Sequence, residues 1–280
     1  MIEYEKKGYL LDAFKIFRLK DSILEEVPFH YHEFHKIILF LNGKADYSIE
    51  GKTYPLEPHD IIFVRAGEIH RPLPAPGIPY ERIIIYVSPK FLDRYTRNGD
   101  DLSACFMAPP GDSSVMHLSP SKSHDLLFHM EKLEQMTHQQ GFANNLYIEM
   151  LFVEFMILLN RALINREIDP LHLVIYDDKI QPVIQYIHDH LTEDLTINQL
   201  AAISYLSRYY LMRRFKNATG YSIHQYINSK RLLKARALLL EDIPLTELCY
   251  NCGFHDYSSF SRAFRTMFNI SPQEFRKKAT

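Results

Sequence analysis

Arg213 and Arg262 are the residues with the most specific chemistry to offer. Each stands two positions before a phenylalanine, Phe215 or Phe264, in a diverged repeat. Leu200-Ala201, Leu211 and Phe215-Lys216 recur as Leu248-Cys249, Phe260 and Phe264-Arg265, at an offset of 48 residues before each turn and 49 after it. A guanidinium on an exposed helix can donate two parallel hydrogen bonds to a guanine edge, while serine and tyrosine hydroxyls and helix N-termini suit phosphates or bases. Two such units in one chain would read two neighbouring stretches of major groove. The competing reading of the two arginines is surface salt bridging, which contributes little. Cys249 and Cys252 form a C-x-x-C. A structural zinc site needs four ligands and no second pair exists, so buried small apolar residues are expected there.

The elements that must carry these residues follow from helical periodicity and end signals. Asp177-Asp178 is expected to cap a helix on which Ile180, Val183, Ile184, Ile187 and Leu191 form one stripe, and Thr196 caps the next, with Leu200 and Ala201 inward. A turn at Ser204-Tyr205-Leu206 leads to a helix capped by Ser207. There Tyr210, Leu211, Phe215 and Ala218 are expected to pack, with Arg208, Tyr209, Met212, Arg213 and Lys216 outward. Gly220 ends it, and Ser222 opens a long helix through Leu240 carrying Ile223, Tyr226, Ile227, Leu232, Leu233 and Ala237. At about 1.5 Å per residue this rod would span roughly 28 Å, comparable to one turn of DNA at about 34 Å. The second unit starts near Pro244 with Leu245 and Leu248, turns at Gly253-Phe254 and is capped by Asp256. Its helix packs Phe260, Phe264 and Phe268 and turns Tyr257, Ser258, Ser261, Arg262 and Arg265 outward. Asn269 and Ser271-Pro272 close the unit and start a last short helix through Phe275.

The charge distribution separates the chain in the same way. Residues 1–178 hold 18 Lys and Arg against 26 Asp and Glu, net −8, whereas residues 179–280 hold 14 against 8, net +6. Only the C-terminal part is suited to meet a polyanion. The hydrophobic share of 46% in 280 residues supports two cored domains. No apolar run approaches the roughly 20 residues of a membrane span, the N-terminus lacks the apolar segment of a secretory signal, and three cysteines make no disulfide framework. No membrane partner and a cytoplasmic location are therefore expected.

The stretch from Ile180 to Arg276 resembles the DNA-binding domain of the AraC/XylS transcriptional regulators. Its anchors are Leu200-Ala201, Ser207, Leu211, Phe215-Lys216, Gly220, Arg231-Leu232, Ala235, Leu239-Leu240, Gly253-Phe254, Phe260-Ser261-Arg262, Phe264, Ser271-Pro272 and Arg276. The resemblance places base and backbone contacts on Tyr209, Met212 and Arg213 in the first unit and on Ser258, Ser261 and Arg262 in the second. It also implies promoter DNA, a small-molecule effector, a homodimer and RNA polymerase as partners, with activation more usual than repression. Tyr205 and Asn269 stand where that family commonly has glycine, and Cys249 where it has alanine.

The N-terminal part alternates short strands with tight turns, among them Phe14–Leu19, His35–Leu41, Ala45–Ile49, Ile61–Val64 and Arg82–Val87, with Asn42-Gly43 and Glu50-Gly51 as hairpin signals. Several strands without helices suggest a β-barrel or double sheet. The order His30-x-His32, Gly43, Asp60, Gly67 and His70 resembles the cupin domain that precedes the DNA-binding domain in many AraC-type regulators. By that resemblance His30, His32 and His70 occupy three positions that hold a metal in catalytic cupins. Lys36 stands where the glutamate is expected, and replacing an anionic ligand with a cation opposes metal binding. The expectation is therefore no metal, no cofactor and no catalysis, with Phe29, His30, His32, Lys36 and His70 lining a small-molecule pocket; the resemblance to AraC-type regulators implies a sugar as its ligand. A metal-dependent cupin enzyme fused to a DNA-binding module is the alternative.

Between these parts, residues about 121–166 read as two helices separated near Gly141. Leu126, Leu127, Met130, Leu133 and Met136 form one stripe. Leu146, Met150, Leu151, Val153, Phe155, Leu158 and Leu159 cover more than one face, which predicts a second neighbour such as a partner subunit. The organisation expected is α+β in two domains. Residues 1–166 form a cupin-like sensing and dimerisation domain, 167–178 a linker, and 179–280 an all-α domain with two helix-turn-helix units. Effector binding would shift the dimer or inter-domain geometry and so alter DNA engagement.

Overall fold

A computed structural model describes residues 10, 12–21, 27–96, 99–107, 113–118, 120–171 and 173–279. The chain divides into two compact units, one built mainly on Lys6–Ile49 and Thr53–Ile175 and the other on Tyr176–Thr280.

In the first unit the strands are β1 (Phe14–Asp21), β2 (His35–Asn42), β3 (Ala45–Ile49), β4 (Lys52–Pro55), β5 (Asp60–Val64), β6 (His70–Pro74), β7 (Tyr80–Val87), β8 (Val115–His117) and β9 (Asp169–Pro170). A six-stranded sheet runs in the order β1-β7-β2-β5-β8-β9, and β3 lies between β4 and β6 in a second sheet. The β1–β7, β7–β2, β2–β5, β5–β8, β8–β9 and β3–β6 pairs are antiparallel. The expected barrel or double sheet is thus realised as two open sheets.

Both faces of the larger sheet are covered, which explains its hydropathy. Along β2, Ile38 and Phe40 join Ile62, Val64 and Ile84 against Tyr47, Ile49 and Tyr54 of the second sheet. Ile37 and Leu39 point the other way, with Ile61, Phe63 and Ile85, into a core completed by helices. Strands buried on two faces read as continuous apolar runs because neither side of the two-residue period meets water. The β2–β3 turn needs Gly43, whose φ is +124°. A Cβ there would lie 2.2 Å from the Pro79 carbonyl oxygen.

The helices covering that sheet are α1 (Pro89–Asp93), α2 (Ala104–Met107), α3 (Pro120–Met136) and α4 (Asn144–Ile164). α3 and α4 occur where the apolar stripes place them. α1, α2, β6 and β8 are too short, or in β6 too interrupted by Pro72 and Pro74, to give a periodic signal. The segment read as a linker contributes β9, which pairs with β8, so its first residues belong to the sheet.

His35, on the helix-covered face, stacks on Phe106 with centroids 4.3 Å apart, and its Nδ1 accepts the Ala66 N–H at 3.2 Å. Burial, with Arg65 adding to it, lowers its pKa to about 4. The folded state therefore binds fewer protons than the unfolded one between about pH 6.5 and pH 4, and stability present above that window is lost as pH falls through it. Wild type should lose about 3 kcal/mol more than His35→Gln between pH 7.5 and pH 4. Urea unfolding at the two pH values checks this, and equal losses would refute it.

The second unit contains α5 (Gln181–Asp189), α6 (Ile197–Ser204), α7 (Arg208–Thr219), α8 (Ile223–Leu238), α9 (Leu245–Asn251), α10 (Tyr257–Phe268) and α11 (Pro272–Ala279). α7, α9 and α10 all pack on α8. Thr196 and Ser222 close capping boxes with Gln199 and Gln225, which satisfy end groups of α6 and α8 reciprocally. α5 begins at Gln181, after Asp177 has accepted the Lys179 N–H in the preceding turn. The connecting helix is 16 residues long, about 24 Å, because it stops at Leu238. Leu239 then turns inward, leaving Ala237 and Leu240 exposed rather than packed. α11 runs past Phe275 to Ala279.

Candidate nucleic-acid interface and interior histidine cluster

α7 and α10 are built alike. Ser207 and Asp256 sit in extended backbone before them and accept N–H bonds from Tyr210 and Ser259, and Gly220 and Asn269 close them in left-handed backbone. The inward stripe of α7 is Leu211, Phe215 and Thr219, each fully buried, and that of α10 is Phe260, Phe264 and Met267. Phe268 is half-buried and packs on Phe264 at 4.5 Å between centroids. Tyr210, expected to pack, is 60% exposed, because it lies one helical step away from the 211–215–219 row. It belongs to the outward surface.

That surface carries the predicted side chains. Ser207, Arg208, Tyr209, Met212, Arg213 and Lys216 are exposed on and before α7. On α10, Ser258, Arg262 and Arg265 are exposed and Tyr257 and Ser261 are half-buried. The pattern of ion pairs separates the two readings of these cations. Arg214 is bonded to Asp177 at 2.7 Å. Arg208, Arg213, Lys216 and Arg265 have no carboxylate partner among the described residues. Arg262 lies back on its own helix, with Nε donating to the Ser258 carbonyl at 3.3 Å and a terminal nitrogen 3.5 Å from Ser259 Oγ. Unpaired surface cations on a capped helix suit phosphates and base edges better than they suit a salt-bridged surface.

The turns inside the two units are made differently. Tyr205 takes φ +53° in the first, and Gly253 takes +84° in the second. At Gly253 a Cβ would come within 2.8 Å of Arg231 Nε and 2.9 Å of Thr192 Cα. Arg231 there donates to the Leu191 and Glu193 carbonyls, tying α8 to the end of α5. Cys249 and Cys252 are fully buried, and Cys249 Sγ lies 3.9 Å from the Phe254 carbonyl as its donor. Burial raises both thiols, Cys252 to about 11, so both pack as small apolar residues.

In the β-rich unit a different constellation forms. His30 and His32 lie two apart in extended chain and share one face, and His30 pairs with His70 across an isolated antiparallel bridge. The three imidazoles are buried, with centroids 4.5 Å apart for His30–His70, 4.9 Å for His32–His70 and 5.0 Å for His30–His32. His70 stacks on Tyr47, and His32 stacks on Phe34 and contacts Tyr86. Lys36 is buried nearby, its Nζ 3.4 Å from Tyr47 Oη and over the Tyr47 and Tyr86 rings. Desolvation, with Arg82 adding to it, brings its amine down to about 7. Burial, then Lys36, His30 and His32, holds His70 well below the usual imidazole range. Phe29 is placed otherwise, since its ring lies under the Arg71 guanidinium at 4.2 Å. Tyr47, Tyr86 and Phe34 complete the cluster, and no spacing signal in the sequence ties them to it.

The comparisons with known proteins fall on the same two regions. A helix-turn-helix domain family matches residues 200–278, and the AraC-like ligand binding domain family matches residues 20–156. The HTH-type transcriptional activator RhaS of Enterobacter sp. (strain 638) is 27% identical over 259 residues, covering 89% of this chain and 87% of its own. RhaS of Shigella sonnei (strain Ss046) is 26% identical over 258 residues, covering 90% and 88%. Among solved structures, the DNA-binding domain of AdpA in complex with a target DNA is 31% identical and covers 36% of this chain and 93% of its own, with a TM-score of 0.35.

Proposed function

The chain belongs to the AraC family of transcriptional regulators, and from that premise we propose that it activates transcription at promoters that α7 and α10 recognise, in response to a small molecule of the carbohydrate class. The observation that carries the DNA reading is the repeated scaffold, two capped helices on one connecting helix, each turning cations outward that have no carboxylate partner among the described residues. Arg213 and Arg262 hold equivalent places and are assigned as base readers. Ser207, Tyr209, Met212, Ser258 and Ser261 are assigned to neighbouring bases and backbone, and Arg208, Lys216, Tyr257 and Arg265 to phosphates.

Arg213→Ala and Arg262→Ala should each cost about 1–3 kcal/mol of discrimination at one segment of the site, with folding unchanged. Titrating each variant against operator and random duplexes checks this. Equal losses on both DNAs would reassign the arginines to phosphates.

The effector reading rests on the mixture of imidazoles, tyrosines and one amine inside the β-rich unit, which suits polar, ring-shaped ligands. Melting curves of the full chain against a panel of aldoses test it: one sugar should raise Tm with concentration, and a flat panel would remove the carbohydrate assignment. A homodimer is proposed through α4. One face of this helix buries Phe152, Phe155, Met156 and Leu159, while Leu146, Met150 and Ile157 are 60%, 63% and 36% exposed beside Tyr147 and Val153. Activation brings RNA polymerase as a further partner. No described helix is long and apolar enough to cross a membrane. The fused-enzyme alternative would draw on a carboxylate ligand, and the group of potential ligands among the described residues consists of histidines.

A further inference from the structure

Lys36 of β2 is buried, and no carboxylate among the described residues pairs with it. The Asp21 carboxylate is held by Arg82 at 2.7 Å, and that of Asp60 by His117 at 2.7 Å. Lys36 Nζ instead lies 3.4 Å from Tyr47 Oη and 5.8 Å from the centroid of the Tyr86 ring, which is half-buried, so the amine sits one ring away from solvent. A buried cation without a counter-charge costs free energy. Either an anion that pairs with it or a carbonyl compound that converts it to a neutral imine relieves that cost. The imidazoles decide between the two. His30 Nδ1 lies 2.8 Å from the Pro28 carbonyl oxygen and His70 Nδ1 lies 2.9 Å from that of Glu68. A carbonyl only accepts, so both Nδ1 atoms carry the proton and both Nε2 atoms present a lone pair. His70 Nε2 is buried and has no hydrogen-bond partner among the described residues. Lone pairs repel a carboxylate but accept from hydroxyls, so the surroundings favour a neutral electrophile that brings hydroxyl donors. With its pKa at about 7, roughly half of this amine is neutral at pH 7, against about one in 2,500 for an ordinary lysine.

From these observations we infer that Lys36 captures a hydroxyaldehyde, such as an aldose in its open-chain form, as a reversible imine inside the β-rich unit. The inference rests on the reading of this unit as a sugar sensor and names the bond by which the effector is held. The Nζ lone pair attacks the carbonyl carbon while the C=O π pair moves to oxygen, and one proton passing from nitrogen to oxygen gives the carbinolamine. The hydroxyl then leaves as water, taking the second nitrogen proton, and the C=N bond closes. Amine and aldehyde thus yield imine and one water, with nothing oxidised or reduced. Tyr47 Oη, beside Nζ, relays the protons. His70 Nε2 accepts from a hydroxyl of the bound molecule. Since hydrolysis restores the amine, occupancy follows the aldehyde concentration.

The full wild-type chain is incubated at pH 7 with glyceraldehyde and sodium cyanoborohydride, which reduces an imine to a stable secondary amine, and the lysines are followed by peptide mass mapping. Lys36 is expected to gain the mass of the probe less one oxygen atom, about tenfold or more faster than any other lysine. Glycerate, with the same hydroxyls on a carboxylate, should not protect it. Tyr47→Phe, which keeps the ring, should slow the labelling of Lys36 by about tenfold or more. Because the mapping needs only the wild type, the test stays decisive even if that variant fails to fold. Labelling spread over other lysines with Lys36 unmodified, or protection of Lys36 by glycerate, would overturn the inference. Melting curves with aldoses separate this from the sensing assignment: a Tm that rises while Lys36 stays unmodified removes the imine and leaves the sugar reading in place.

Discussion

Phe264→Ala is expected to remove about 3–5 kcal/mol of stability from the helical unit, through lost transfer energy and the cavity left behind. The side chain is fully buried at the middle of α10. Its ring meets Phe260 at 5.8 Å, Phe268 at 4.5 Å and Phe275 of α11 at 5.9 Å between centroids. Arg236 of α8 lies over the Phe268 and Phe275 rings, so the same cluster fixes α10 against α8 and α11. Truncating its centre frees the helix that carries Ser258, Ser261 and Arg262. Denaturant unfolding should show the loss, and DNA binding by the second unit should fall with it. Arg262→Ala, by contrast, should leave unfolding unchanged while altering base preference. A Phe264→Ala protein with wild-type unfolding would show that the aromatic cluster does not hold the second reader.

Lys36→Met should stabilise the protein by about 4 kcal/mol at pH 7. A buried amine without a carboxylate partner pays for desolvation, and that cost appears as the drop of its pKa from 10.5 to about 7. The unfolded chain binds the proton more readily than the folded one between those values. The cost is therefore fully present below about pH 7, shrinks as pH rises through the window and vanishes above about pH 10.5. The advantage of Lys36→Met should follow the same course, which unfolding at pH 7 and pH 10 would check. An advantage of equal size at both would mean that improved packing, not the buried amine, is responsible. A residue that lowers stability at the centre of a histidine and tyrosine cluster is what a ligand-binding role accounts for.

The helical unit was legible where a helix announces itself twice, by an apolar row and by an end residue; α5 departs from this, since Ile180 and not Asp177-Asp178 stands at its start and no side chain caps it. Thr196, Ser207, Ser222 and Asp256 all cap as their sequence context predicts. The errors lie at the margins of rows, where Tyr210 faces solvent and where α8 ends before Leu240. The sheets were legible at β2, β3, β5 and β7, whose apolar runs are flanked by turn residues. β6 was hidden by its prolines, and β8 and β9 acquire strand geometry only from distant partners. In the histidine cluster, the two-residue spacing of His30 and His32 was readable. Their meeting with His70 depends on a bridge between segments 40 positions apart, which periodicity does not encode. The same two-residue period distinguishes Phe29 from its neighbour His30, and the structure puts its ring under Arg71 instead.

Hydroxyl-radical footprinting of the full chain on its promoter tests most directly that one polypeptide applies α7 and α10 to successive turns of DNA. The account predicts two protected segments about 10 base pairs apart, one weakened by Arg213→Ala and the other by Arg262→Ala. A single segment weakened by both substitutions would contradict it.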